Sequence, residues 1–137
     1  MMSVAREYTG RGGVLSYRIT GAASTANAGL GSIANPEGVD LLILRATLNF
    51  VTPSDGAANL GIGVTTAAAK ATDILNDLDV NGVAADSVYN GFAMQNTAKT
   101  AITAPAIWTA AKYVTLTGSA TTAGLDAVLM IEYVRLV

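Results

Sequence analysis

Apolar and polar residues alternate along several stretches of the chain, with the two-residue period of a strand that has one face in a core. From Val14 to Thr20, Val14, Ser16 and Arg18 fall on one face and Leu15, Tyr17 and Ile19 on the other. From Asp40 to Val51 one face carries Leu42, Leu44, Ala46, Leu48 and Phe50. The other carries Leu41, Ile43, Arg45, Thr47, Asn49 and Val51, so this longest strand is predicted to begin buried on both sides and to become one-sided. Asn59 to Thr66 alternates Leu60, Ile62 and Val64 with Gly61, Gly63 and Thr65, and glycine on an outer face lets a second backbone come close. Lys112 to Gly118 places Val114 and Leu116 inward and Thr115 and Thr117 outward. Ala127 to Leu136 closes the series without Pro or Gly, as a central strand should.

Between these runs the pattern changes. Residues 21–38 are rich in Gly, Ala, Ser and Asn and end on Asn35-Pro36-Glu37-Gly38, which is turn punctuation; Leu30 and Ile33 can pin this connection to the core. Pro53-Ser54-Asp55-Gly56 is a second turn. Over residues 67–79 the spacing of Ile74, Leu75 and Leu78 is helical, with Thr72 or Asp73 as a cap, and predicts one short helix. Residues 80–110 are weakly patterned, with short strands expected near Val88 to Met94 and Thr100 to Thr103. Residues 1–12 show no period and read as an N-terminal arm, leaving residues 13–137 as a single domain. The expected fold is all-β: an antiparallel β-sandwich, jelly-roll-like, with one short helix and long Gly/Ala/Ser-rich connections that suit crossings between sheets.

Composition narrows what such a fold can do. Only 13% of the 137 residues are charged, about half the usual share, although 51% are hydrophobic. A surface so short of charge is made of small polar residues or is covered by a partner. The net charge of −2 speaks against nucleic-acid binding. Arg6, Arg11 and Arg18, with Glu7 among them, make a mildly basic end, and Asp55, Asp73, Asp77, Asp79 and Asp86 an acidic middle. No run approaches the length needed to cross a bilayer, and Arg6, Glu7 and Arg11 interrupt any signal-like core, so synthesis in the cytoplasm without a membrane anchor is expected.

The chain has neither His nor Cys. That removes the commonest general base, the thiol nucleophiles and most transition-metal ligands, and with no cofactor motif present the expectation is a protein that is not an enzyme. Glu132 is expected to pair with Arg18, Arg45 or Arg135 rather than to act as an acid. Asp77, Asp79 and Asn81, followed by Gly82, match the opening of a calcium loop, but Val88 stands where the closing acid belongs. A turn at Asn81-Gly82 is the favoured reading, with calcium as a weak candidate. Trp108, Tyr113 and Tyr89 are candidate interface or anchor aromatics, a lone Trp before a strand being a core or interface anchor; an exposed Trp108 beside Tyr89 or Tyr113 in a groove would make a glycan platform instead.

Several segments resemble a group of small proteins from tailed phages and prophages, the capsid decoration (cement) and head-fibre proteins. They are Asn35 to Leu48, Ala58 to Val64, Asp73 to Val80, Trp108-Thr109, Lys112 to Thr115, Ala123 to Leu125 and Ile131 to Val134. The resemblance spans most of residues 20–137 and leaves out the arm. It implies a structural virion protein on the capsid surface that binds the major capsid protein and itself, as a homo-oligomer with a trimer favoured. Arg6, Tyr8 and Arg11 of the arm are then candidates for capsid or subunit contact. The alternative is a carbohydrate- or receptor-binding β-sandwich of a phage fibre.

Overall fold

The computed structural model describes residues 12–83, 85, 87–90 and 106–136. Their elements are all strands: β1 (Gly12–Thr20), β2 (Gly31–Ala34), β3 (Leu41–Thr52), β4 (Asn59–Thr65), β5 (Leu75–Asp79), β6 (Val88–Asn90), β7 (Ile107–Trp108), β8 (Tyr113–Gly118) and β9 (Asp126–Arg135). They form two antiparallel sheets. The first, sheet A, runs β1-β9-β3-β6, with β7 also on β3; the second, sheet B, runs β2-β8-β4-β5. Each of the five alternating runs in the sequence is a strand, and the uninterrupted β9 lies between β1 and β3.

One core serves both sheets. Ile19, Leu41, Ile43, Leu48, Phe50, Leu129 and Ile131 of sheet A share it with Leu60, Ile62, Leu75, Val114 and Leu116 of sheet B. Trp108 is wholly buried in it, and its indole N–H donates to the carbonyl of Lys112 at 3.0 Å. Leu30 is buried at the start of β2 and Ile33 packs against the core, so the predicted pins of the 21–38 connection are in place.

Two predicted features are corrected, both by a bulge. In β3 the register against β9 slips between Ile43 and Arg45. Leu41 and Ile43 face the core before the slip, Ala46, Leu48 and Phe50 after it, and Leu44 stands outside, 50% exposed. The apolar start of β3 is therefore one core-facing run with a phase change, not a segment buried on both sides. The helix expected over residues 67–79 is absent: the chain turns at Ala67-Ala68 and enters β5. Leu75 and Leu78 both reach the core although an odd spacing would put them on opposite faces of a regular strand. Asp77 sits at φ 54° and the register against β4 shifts beside it, so one extra residue turns a strand phase into an apparent helical one.

The turns behave as composed. The Asn35 side chain accepts the N–H groups of Glu37 at 2.9 Å and Gly38 at 3.0 Å. Its amide group donates to the carbonyls of Val39 and Trp108, at 2.9 and 3.0 Å. Gly38, at φ 71°, takes the left-handed conformation that glycine adopts without strain. The domain boundary predicted at residue 13 falls inside β1, which begins at Gly12; residues 1–11 of the expected arm lie outside the described residues.

Candidate interaction surface

The two sheets differ on the faces turned away from the core. On sheet B that face is occupied by the chain's own connections. A Cβ on Gly63 would run into the Ala71 backbone and the Asp73 carboxylate, and one on Gly61 would meet Lys70 and Asp77. The close backbone approach predicted from the Gly-faced strand is thus made by the segment leading into β5. Asp73 accepts the Val64 N–H at 2.8 Å, and Lys70 pairs with Asp77 at 2.8 Å, strapping the segment down. Thr117 accepts the Ala28 N–H at 2.9 Å from the other long connection. Thr115 and Thr117, predicted outward, do point outward, yet both are buried.

Sheet A has no such cover among the described residues. Val14, Val88, Ile107 and Met130 point away from the core and are exposed, and Leu44 joins them on its bulge. The charges on this face are matched within it. Arg18 grips Asp126 with two nitrogens, the Nε–Oδ1 bond at 2.7 Å. Arg45 lies directly across from Glu132 in the register and bonds it through Nε, which is the structural pairing expected of that acid. The hydrogen bonds raise the pKa of both guanidinium groups, and Arg45 lowers that of the Glu132 carboxyl. On the core-facing side of the same sheet, at its end, Arg135 Nη2 donates to Glu37 at 2.7 Å and the hydroxyl of the largely buried Tyr133 donates to the same carboxylate at 3.2 Å. These bonds, that of Arg135 first, lower the Glu37 pKa; burial and the nearby carboxylate raise that of Tyr133. The result on the outer face is an apolar surface with its ions neutralised in place.

The residues singled out in the sequence are scattered. Arg6, Tyr8 and Arg11 lie outside the described residues. Trp108 is a core residue and offers no ring to solvent. Tyr113 opens β8, half-buried, opposite Thr65 and Ala34. Tyr89 pairs with Leu48 in β6, and its side chain lies outside the described residues. The calcium candidates are engaged separately. Asp77 holds Lys70, Asp79 accepts the N–H groups of Asn81 and Gly82 at 3.0 Å each, and the Asn81 amide donates to the Ser54 carbonyl at 2.8 Å. That is the Asn-Gly turn. Among the described residues no three Asp or Glu side chains stand close enough to share a metal ion. The exposed residues Leu44 and Met130 were not singled out in the sequence; the first needed the bulge to be seen, and the second reads as one more apolar position in an apolar strand.

No protein-family model matches the chain, and no curated protein matches it. Among solved structures it is similar to a chain in the acidic stable capsid structure of Helicobacter pylori bacteriophage KHP30, with 14% identity over 90% of this chain and 92% of that one and a TM-score of 0.49.

Proposed function

We propose that the chain is a non-catalytic structural protein of a phage virion, which attaches to the capsid surface through the outer face of sheet A. The observation that carries the reading is that face itself: exposed Val14, Leu44, Ile107 and Met130 among ion pairs that already satisfy one another. Large apolar side chains grouped on one face mark a surface that meets another protein. Ions paired beforehand lower the cost of drying it. The major capsid protein as partner, and self-association beside it, follow from the resemblance carried by residues 20–137.

A jelly-roll fold is part of the same proposal. The order β1-β9-β3-β6 over β2-β8-β4-β5 is what two nested Greek keys give when the chain crosses between sheets at β1–β2, β2–β3, β3–β4, β5–β6, β7–β8 and β8–β9. The absence of His and Cys from the sequence supports the non-catalytic part. A glycan platform loses its main support, because Trp108 is in the core.

Co-sedimentation with undecorated heads of the encoding phage tests the proposal. The wild-type chain is expected in the pellet and the double variant Leu44→Asp, Met130→Asp in the supernatant, with equal melting temperatures. Pelleting of both, or of neither, would refute attachment through this face.

A further inference from the structure

The outer edge of β1 has the properties of a strand-pairing site. β1 pairs with β9 along its whole length with no slip, from Gly12 opposite Val134 to Thr20 opposite Asp126. One step further in the same register, the Gly21 N–H donates to the Leu125 carbonyl at 2.7 Å. In an antiparallel ladder, residues exchanging bonds with a neighbour alternate with residues whose backbone groups face the other way. Gly13, Leu15, Tyr17 and Ile19 share the phase of Gly21 and bond to β9. The N–H and C=O groups of Gly12, Val14, Ser16, Arg18 and Thr20 therefore point off the sheet. Among the described residues no strand pairs with that edge.

The other edges are defended as edges usually are. β2 has four residues, β6 and β7 have three and two, and β5 is bent by the left-handed Asp77 and carries Asp79. β1 has nine residues with no bulge, Pro or Lys, and Arg18 is its only charge. Its core-facing side is also unfinished. Leu15 and Tyr17, with Ile33 of β2, pack against the core but are only half-buried. The Tyr17 hydroxyl donates to the Leu30 carbonyl at the start of β2, so β1 and the start of β2 lie together along one open side of the domain.

We infer that a second copy of this chain adds its β1 to this edge, antiparallel and centred on Ser16, so that sheet A continues across a two-fold axis. Centring on Ser16 overlaps the full strand. Outward-facing Val14 then meets the partner copy's outward-facing Arg18, and Ser16 meets its own counterpart, so each free N–H finds a free C=O. Leu15 and Tyr17 become cross-strand neighbours over the open side, an aliphatic-aromatic pairing that stabilises sheets. Arg18 is kept from its own copy, whereas a register centred on Arg18 would set like charges face to face. Self-complementarity of this kind is what a two-fold contact requires. The inference concerns how copies join and stands apart from the proposed attachment to a capsid.

The full chain contains no cysteine, which makes a clean experiment available. Ser16→Cys places two thiols across the axis at a spacing a disulfide can bridge. Mild oxidation is expected to give a covalent dimer, while Val14→Cys and Arg18→Cys link only when mixed with each other and an exposed Ala57→Cys control stays single. Light scattering is expected to give the mass of two copies for the wild type and of one for Ser16→Pro. That variant removes an N–H that β9 does not use, so its circular dichroism should match the wild type. A wild-type mass of one or three copies, or a Ser16→Cys thiol that oxidises no faster than Ala57→Cys, would overturn the pairing. Cross-linking of Ser16→Cys to a capsid polypeptide in place of itself would overturn the assignment to a second copy. Ser16→Pro that is monomeric yet still pellets with heads would leave capsid attachment standing alone.

Discussion

The outer faces of the two sheets start from similar strands and end differently. β4 and β8 turn small residues outward, Gly61, Gly63, Thr115 and Thr117, and the chain buries them under its own connections. β1, β3 and β9 expose larger ones, Val14, Leu44 and Met130, and no described segment covers them. Glycine and threonine leave room for backbone to settle within hydrogen-bonding distance, as at Asp73 and Ala28. Bulky side chains stand in the way of that and present contact area instead. The size of the outward residues thus separates a face closed within the chain from one that no described segment covers.

The sharpest way to break this contrast is Gly63→Val. The new side chain must push the Ala71 backbone off β4, and the loss expected in urea unfolding is about 3 kcal/mol. Asp73→Ala leaves the cover in place but removes the acceptor of the Val64 N–H, with an expected cost of about 1 kcal/mol in the same measurement. Val14→Thr on the uncovered face is expected to change stability by less than about 0.5 kcal/mol. Equal losses for Gly63→Val and Val14→Thr would erase the distinction. The smallest effect should be one of acid. Glu37 and Glu132 release their protons more readily in the folded chain than in the unfolded one, so their contribution is complete above the ordinary glutamate pKa. It is lost as pH falls through that value toward the lower folded one. Thermal melts across this range should show a slight decline that Glu37→Gln reduces; a decline unchanged in that variant would remove Glu37 from the account.

The sequence makes the five main strands and their inward residues legible because alternation survives wherever a strand is regular. It misleads where a strand is not. Leu75 and Leu78 mimic a helix because the bulge at Asp77 shifts the phase, and no residue type nearby announces a left-handed aspartate. Leu44 hides among apolar neighbours for the same reason. Glu132 was readable as an ion-pair partner, yet only the register selects Arg45 from the three arginines. Trp108 looked like an anchor and is one, inside the core; a lone aromatic before a short strand does not say which way it will turn. The edge position of β1 among the described residues could not be read at all, since it depends on the order of strands far apart in the chain.

The two asparagines that organise turns have different chemical lifetimes. Asparagine ages when the next residue's backbone nitrogen attacks its side-chain amide and expels ammonia. Asn35 is followed by Pro36, whose nitrogen carries no proton, so that route is closed where one carboxamide ties β2 to β3 and β7. Asn81 is followed by Gly82, the least hindered of nucleophiles, and conversion to aspartate would replace the amide donor to Ser54 with a carboxylate facing a carbonyl. An old sample of this protein should therefore acquire a new negative charge beside Ser54, while the Asn35 turn stays as synthesised.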